Sequence, residues 1–318
     1  MIAQLDETGP PPPSPLAGRD CLTLAEFSPA EATLILDEAV KIKGLQKSRI
    51  PYRPLRGQTL AMVFQKPSNR TRVSFEVGMY QLGGHALSLS PQELQIGHRE
   101  TPSDTGRVLA RYIDAIMVRT FDHEELEELA GAADVPVING LSDLHHPCQA
   151  LADLLTVREE FGVIEGIEIA YVGDGNNVAH SLALACALTG AKLTIAHPEG
   201  HAPDGKVLER AASLGDAPTL TTDPREAAAD ARVVYTDVWA SMGQEGEAEE
   251  RKSKFKPYQV DEELMSLAAE DAIFLHCLPA HRGEEVTAGV IDGPMSRVFD
   301  QAENRMHAQK ALLYLLLG

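Results

Sequence analysis

At 318 residues, the chain is long enough for two ordinary domains, each with a buried core. Apolar residues make up 44 % and charged residues 24 %, and 28 Lys and Arg against 47 Asp and Glu set the formal net charge at −19. That balance leaves no electrostatic footprint for nucleic acid or an anionic membrane, and no uncharged apolar run of about 18 residues is present to span a bilayer.

The four cysteines (Cys21, Cys148, Cys186, Cys277) form no C-x-x-C pair, which argues against a disulfide framework or a structural zinc. The start lacks the basic and apolar regions of a signal peptide. Together these features point to a soluble, cytoplasmic protein that acts on small molecules.

Residues 1–18, with Gly9 followed by four prolines, have little to bury and read as a flexible tail of polyproline character. Beyond them, β-branched and apolar runs predict strands over 58–64, 115–118, 135–138, 167–172, 192–196, 232–236 and 272–276. Helices are predicted over 29–43, 71–82, 104–111, 124–132, 147–161, 178–188, 207–214, 260–267 and 302–317. Such alternation implies an α/β fold with mostly parallel sheets flanked by helices. The helix over 147–161 precedes a fresh series of strands and marks the best domain boundary.

Nearly every predicted strand runs into a loop rich in binding or reactive side chains. In open α/β sheets ligands sit beyond the carboxyl ends of the strands, so two such domains facing each other would gather these loops into a two-substrate cleft.

The loop Ser68-Asn69-Arg70-Thr71-Arg72 leads into a helix. With Ser68 or Asn69 at the N-cap, the helix N–H groups, two hydroxyls and the Arg70 guanidinium form a cradle for phosphate. The same string also reads as an ordinary cap with solvated arginines. Of His145-His146-Pro147-Cys148-Gln149, a neutral His146 at a helix start suits donation to a carbonyl that gains negative charge. His145 reads as a satisfied, partly buried side chain, and adjacent histidines without a second ligand pair are a poor zinc site.

Gly173-Asp174-Gly175-Asn176-Asn177 lacks the third glycine of a dinucleotide turn, and its two amides suit a carboxylate or an ammonium. Asp237, at a strand end ahead of Ser241 and Met242, offers a carboxylate to a cationic amine. Cys277 in His276-Cys277-Leu278-Pro279 reads as a core thiol, a weak hydrogen-bond partner or a nucleophile, the last being least favoured. The acidic runs at 124–128 and 244–250 read as solvated faces.

From about Leu22 to the end, these strings in this order resemble the aspartate/ornithine carbamoyltransferase family, in particular its ornithine branch. S-N-R-T-R resembles the carbamoyl-phosphate loop and H-P-C-Q the H-P-x-Q element. Asp237 to Gly243 resembles the D-x-x-x-S-M-G loop, H-C-L-P the branch signature, and Ala302-Glu303-Asn304-Arg305 the start of the C-terminal helix. The resemblance implies transfer of a carbamoyl group from carbamoyl phosphate to the δ-amine of L-ornithine, giving L-citrulline and phosphate in arginine biosynthesis.

It further implies a carbamoyl-phosphate-binding domain over 19–155, with the C-terminal helix 302–318 packing back on it, and an ornithine-binding domain over 156–301. Ser68, Asn69, Arg70 and Thr71 would hold phosphate, and Arg119 would bridge phosphate and carbonyl. His146 and Arg305 would polarise the carbonyl, and Gln149 would accept from the carbamoyl NH2. Asn177, Asp237, Ser241 and Met242 would fix the α-amino and α-carboxylate groups of ornithine, with Cys277 and the Leu278 backbone beside the attacking amine. No cofactor or metal is implied. A homotrimer, or a multiple of trimers, is implied, in which Gln95 matches a position supplied by a neighbouring chain. Where the family loop reads S-T-R-T-R, Asn69 replaces the first Thr. The same chemistry on putrescine or N-acetylornithine, and a silent ligand-binding relative, are the alternatives.

Overall fold

The computed structural model describes residues 14–90, 100–240 and 248–318. Two sheets carry the architecture. The first has strands β1 (Thr59–Phe64), β2 (His85–Leu89), β3 (Ala115–Arg119) and β4 (Val137–Leu141) in the order β2-β1-β3-β4. The second has β5 (Glu168–Val172), β6 (Lys192–Ala196), β7 (Thr219–Thr221), β8 (Val233–Thr236) and β9 (Ile273–His276) in the order β7-β6-β5-β8-β9. Every pairing is parallel, so within each sheet the carboxyl ends share one edge.

Helices α1 (Pro29–Lys47), α2 (Asn69–Leu82), α3 (Pro102–Leu109), α4 (His123–Ala132), α5 (Pro147–Phe161) and α6 (Asn177–Thr189) connect these strands or flank the sheets. They are followed by α7 (Gly205–Leu214), α8 (Pro224–Ala228), α9 (Ala248–Phe255), α10 (Glu262–Met265), α11 (Ala288–Ile291) and α12 (Val298–Leu317). Among the described residues no helix is long and apolar enough to cross a membrane.

Strands β3 and β8 are buried from end to end, as a parallel strand covered on both faces must be, which is why they read as short apolar runs. Strands β2 and β7 were not predicted from the sequence. Both are edge strands, and both are half-buried or exposed at every residue, so neither carries an apolar run. The predicted helix over 260–267 shrinks to the single turn of α10, because Val260 instead pairs with Val286 through an isolated bridge. The last helix begins at Val298 rather than 302.

Helix α2 ends where Gly83 takes a φ of +89°, and a Cβ there would lie 2.9 Å from the Arg53 side chain. Helix α12 packs on α5, α1 and α2. The tail expected over 1–18 meets the described residues at 14–18, and there the chain is anchored: Leu16 is buried and the Gly18 N–H donates to Leu316 O at 2.9 Å.

Candidate active site

The site is built from the loops that leave β1, β3, β4, β5, β8 and β9, together with one turn of α12. Ser68 is the N-cap of α2, its Oγ accepting from the Thr71 N–H at 3.3 Å and lying 3.1 Å from the buried Thr71 hydroxyl. Asn69 is the first helical residue and is exposed, so Ser68 alone caps. The first turn of α2 carries no acidic residue, which leaves the positive end of the helix without a counter-charge from its own turn. Arg70 reaches across and donates to Leu278 O at 2.7 Å, tying this loop to the one after β9.

Arg119 ends β3 where the register against β4 shifts, the kind of irregularity that re-aims a side chain at the end of a sheet. Arg305 projects from α12 and its Nη1 donates to Gln149 Oε1 at 3.4 Å. Both guanidiniums are buried and the Nε of each lacks a partner. Burial, then the positive charges of Arg305 and Arg70, push the Arg119 pKa down to about 10. Burial and Arg70 lower that of Arg305 in the same way.

His146 immediately precedes α5, with its backbone N–H donating to Ser181 Oγ at 2.7 Å and its Nδ1 unpartnered. Burial first, then Arg119, Arg305, Arg70 and Lys66, hold its pKa well below the usual imidazole range. His146 is therefore a neutral ring surrounded by cations. Lys66, which sequence reasoning did not single out, is also buried, its ammonium 4.9 Å from the centroid of the Phe121 ring.

Gln149 is fixed by a second residue absent from the sequence-level candidates. Its Nε2 donates to Asp153 Oδ1 at 2.8 Å, and Gln301 Nε2 donates to the same oxygen at 2.7 Å. With its NH2 committed, Gln149 turns its carbonyl oxygen toward Arg305. Gln301 likewise turns its oxygen outward, where it accepts from the His276 N–H at 2.9 Å. The signal for Asp153 was its place four residues after Gln149, on one face of α5.

The opposite wall is formed by the second sheet. Asp237 follows β8 and is buried, accepting from Asn176 Nδ2 at 2.9 Å and from the Cys277 thiol at 3.0 Å. Burial and Asp237 raise the Cys277 pKa well above its ordinary value, so the group is a thiol that donates rather than a nucleophilic thiolate. The Leu278 N–H donates to His276 Nδ1 at 2.9 Å, which leaves the Nε2 proton for buried Glu285 Oε1 at 3.1 Å. Leu278 itself sits at φ +58°, with its carbonyl taken by Arg70.

Of the two amides proposed for a ligand, Asn176 serves the fold by capping α6. The Asn177 NH2 donates to Ser142 O at 2.6 Å. Gly175 is pressed against the backbone at 201–203, where a Cβ would lie 2.2 Å from Pro203 N. His145 is not the satisfied side chain expected. It is buried between the rings of His123 and His180, its Nδ1 has no partner, and burial pushes its pKa down to about 3.

The ligand atoms of Asp237, His276 and Cys277 lie within 4.8 Å of one another, but those of Asp237 and His276 are already hydrogen-bonded and the thiol is held protonated. The expected ligands Gln95, Ser241 and Met242 lie outside the described residues.

Chemically, one wall offers buried donors and cations for an anion and a polarised carbonyl, and the other offers a carboxylate for an ammonium. Residues 19–159 match the family model for the aspartate/ornithine carbamoyltransferase carbamoyl-P binding domain, and residues 165–316 match that for the Asp/Orn binding domain. The ornithine carbamoyltransferase of Anoxybacillus flavithermus is 59 % identical over 95 % of this chain and 98 % of its own length. The solved ornithine carbamoyltransferase of Pyrococcus furiosus superposes with a TM-score of 0.92 at 58 % identity, covering 95 % of this chain and 98 % of that one. That of Thermus thermophilus gives 0.85 at 46 % identity, with 94 % and 99 % covered. With both sheets matched and relatives of this identity over nearly the whole length, the chain belongs to the aspartate/ornithine carbamoyltransferase family.

Proposed function

We propose that the chain transfers the carbamoyl group of carbamoyl phosphate to the δ-amine of L-ornithine, releasing L-citrulline and phosphate. The observation that carries this reading is the meeting of Arg70, Arg119, Arg305 and neutral His146 on one wall with Asp237 and Cys277 on the other. Ser68, Asn69, Arg70 and Thr71 hold the phosphate, and Arg119 spans phosphate and carbonyl oxygen. His146 and Arg305 stabilise the oxygen as charge develops on it, which is where preorganised donors act most strongly. Gln149, with its oxygen turned outward by Asp153, accepts from the carbamoyl NH2.

Asp237, with Asn177, Ser241 and Met242, holds the α-amino and α-carboxylate groups of ornithine. The δ-amine, having lost its proton, attacks the carbonyl carbon. The C–O bond to phosphate then breaks, and the second amine proton leaves as the C–N bond is completed. Cys277 and the Leu278 backbone flank that amine. Carbamoyl phosphate is already an activated donor, so orientation and electrostatics supply the rate gain.

In this reading residues 19–155 with helix 302–318 bind carbamoyl phosphate and 156–301 bind ornithine. The protein works in arginine biosynthesis in the cytoplasm as a homotrimer or a multiple of trimers, with Gln95 completing a neighbour's site. The anabolic designation of the Pyrococcus furiosus relative, 58 % identical, supports the biosynthetic direction.

A colorimetric citrulline assay with carbamoyl phosphate and a panel of ornithine, N-acetylornithine, putrescine and aspartate tests the proposal. Turnover with ornithine should exceed the others. A preference for another amine would keep the phosphate wall and remove the roles given to Asn177, Asp237, Ser241 and Met242. No turnover with any amine would defeat the reading.

A further inference from the structure

Away from the cleft, a surface cavity opens where α1 and the loop after it meet the C-terminal end of α2 and the side of α12. Lys310, on α12, lines it and is 2 % exposed. Its ammonium donates to Gln46 Oε1 and Gln81 Oε1, each at 2.8 Å, and among the described residues it has no carboxylate partner. Burial pushes its pKa down to about 8, and no acidic side chain counters that shift. A cation removed from water is costly unless an anion compensates it, and two neutral amides leave that charge uncancelled.

The surroundings share this bias. Because both glutamines turn their oxygens to Lys310, their NH2 groups are left facing away from it as further donors. Arg49 and Arg53 also line the cavity, and no Asp or Glu does, on a chain whose net charge is −19. Arg49 is placed there by the end of α1, where it takes φ +56° and the Ile50 N–H donates to Leu45 O at 2.9 Å. The remaining wall is largely apolar, with Ile42, Leu45 and Leu82.

We propose that this cavity is a second ligand site, for a small organic anion: an apolar body ending in a carboxylate or a phosphate monoester, with the charged end on Lys310 and the body against Ile42, Leu45 and Leu82. The site is separate from the cleft, although the two helices that meet at it are those that carry Thr71 and Arg305 at positions nearer the cleft.

The test is isothermal titration of the full-length protein with 4-phenylbutanoate, with phenyl phosphate and with the uncharged 4-phenylbutanamide. For a ligand of this size a Kd of about 1 mM is expected for at least one anion. The amide should bind at least tenfold more weakly, and Lys310→Met, which keeps the apolar stem, should weaken the anion at least tenfold. Exposed Arg53→Gln should weaken it several-fold and serves if Lys310→Met fails to fold. The anion that binds more tightly identifies which headgroup the site takes.

Three results would overturn the proposal. Equal binding of the amide would mean an apolar crevice, and unchanged anion binding in both variants would place the probe on the cations of the cleft. No binding up to about 10 mM would mean that the cavity is closed to ligands in solution, as it would be if an acidic side chain of a second copy filled it.

Discussion

The two walls of the cleft solve the problem of burying polar groups in opposite ways. On the second-sheet wall the charges pair locally, Asp237 with Asn176 and Cys277 and Glu285 through its Oε1 with His276, although Glu285 Oε2 has no hydrogen-bond partner. On the first-sheet wall Arg119 and Arg305 keep unpartnered nitrogens, and the cations there depress one another and His146. A self-satisfied wall is rigid without ligand. A wall of uncompensated donors stores unfavourable electrostatics that a bound anion relieves. The asymmetry matches a reaction in which the anionic donor supplies the missing counter-charge and the cationic acceptor meets a prepared carboxylate.

The strongest way to break this comparison is Arg119→Met. Loss of a preorganised donor to the developing charge should lower kcat/KM by a factor of about 10² to 10³. Removal of a buried, repelled cation should also leave the ligand-free protein as stable as before, or more so. Steady-state kinetics beside thermal melts would check both, and a large drop in Tm would show that Arg119 supports the fold rather than storing strain.

The walls also meet along a row of imidazoles, and their titration sharpens the comparison as a matter of stability. His123, His145 and His180 all have pKa values lowered by burial, that of His145 to about 3. In the unfolded chain each takes up a proton near pH ~6.5, whereas the folded protein does not. The unfolded state therefore binds more protons below that pH, and His145 alone should cost about 1.4 kcal/mol per pH unit as the medium is acidified toward pH ~3. Asp153, raised by burial to about 7, acts in the opposite sense, as do Asp20 and Glu26, which burial also raises, but the lowered histidines outnumber them once His146 and His307 are included. Melts from pH ~7 to ~5 should show falling stability. A flat profile would mean that these rings are hydrated.

Smaller in effect is the orientation of Gln149. Asp153→Leu removes the oxygen that holds two glutamine NH2 groups, so the Gln149 amide is free to flip, and kcat should fall about tenfold, the scale of one hydrogen bond to a charged group. Asp153→Asn keeps an acceptor at Oδ1 for both glutamine NH2 groups. This variant should stay within about threefold of the wild type. Equal losses in both would point to the negative charge rather than the acceptor.

The sequence was most legible where one segment answers for itself. Buried central strands show as apolar runs, and the loops at their carboxyl ends advertise their chemistry in strings of four or five residues. Edge strands β2 and β7 were invisible because none of their residues is fully buried, so neither needs an apolar run. Also hidden were the contacts that join distant segments. Gln301 meets Asp153 across 148 positions and Arg70 meets Leu278 across 208, and no local pattern encodes either. His145 was misjudged for the same reason, since the rings that bury it come from α4 and α6.

The smallest expected effect concerns the one departure from the family loop. If the side chain at position 69 gripped phosphate, Asn in place of Thr would weaken the first wall, and Asn69→Thr would lower KM for carbamoyl phosphate several-fold. The geometry argues otherwise. Ser68 already caps α2, Asn69 is exposed as the first helical residue, and the hydroxyl that faces Ser68 belongs to buried Thr71. What position 69 presents to an anion is its backbone N–H, which every residue except proline possesses. Asn69→Thr should therefore leave KM for carbamoyl phosphate within about twofold, inside the few tenths of a kcal/mol that separate good residues at helix starts. A clear gain in affinity would assign the side chain a contact with phosphate and make the first wall depend on more than its cations and its helix end.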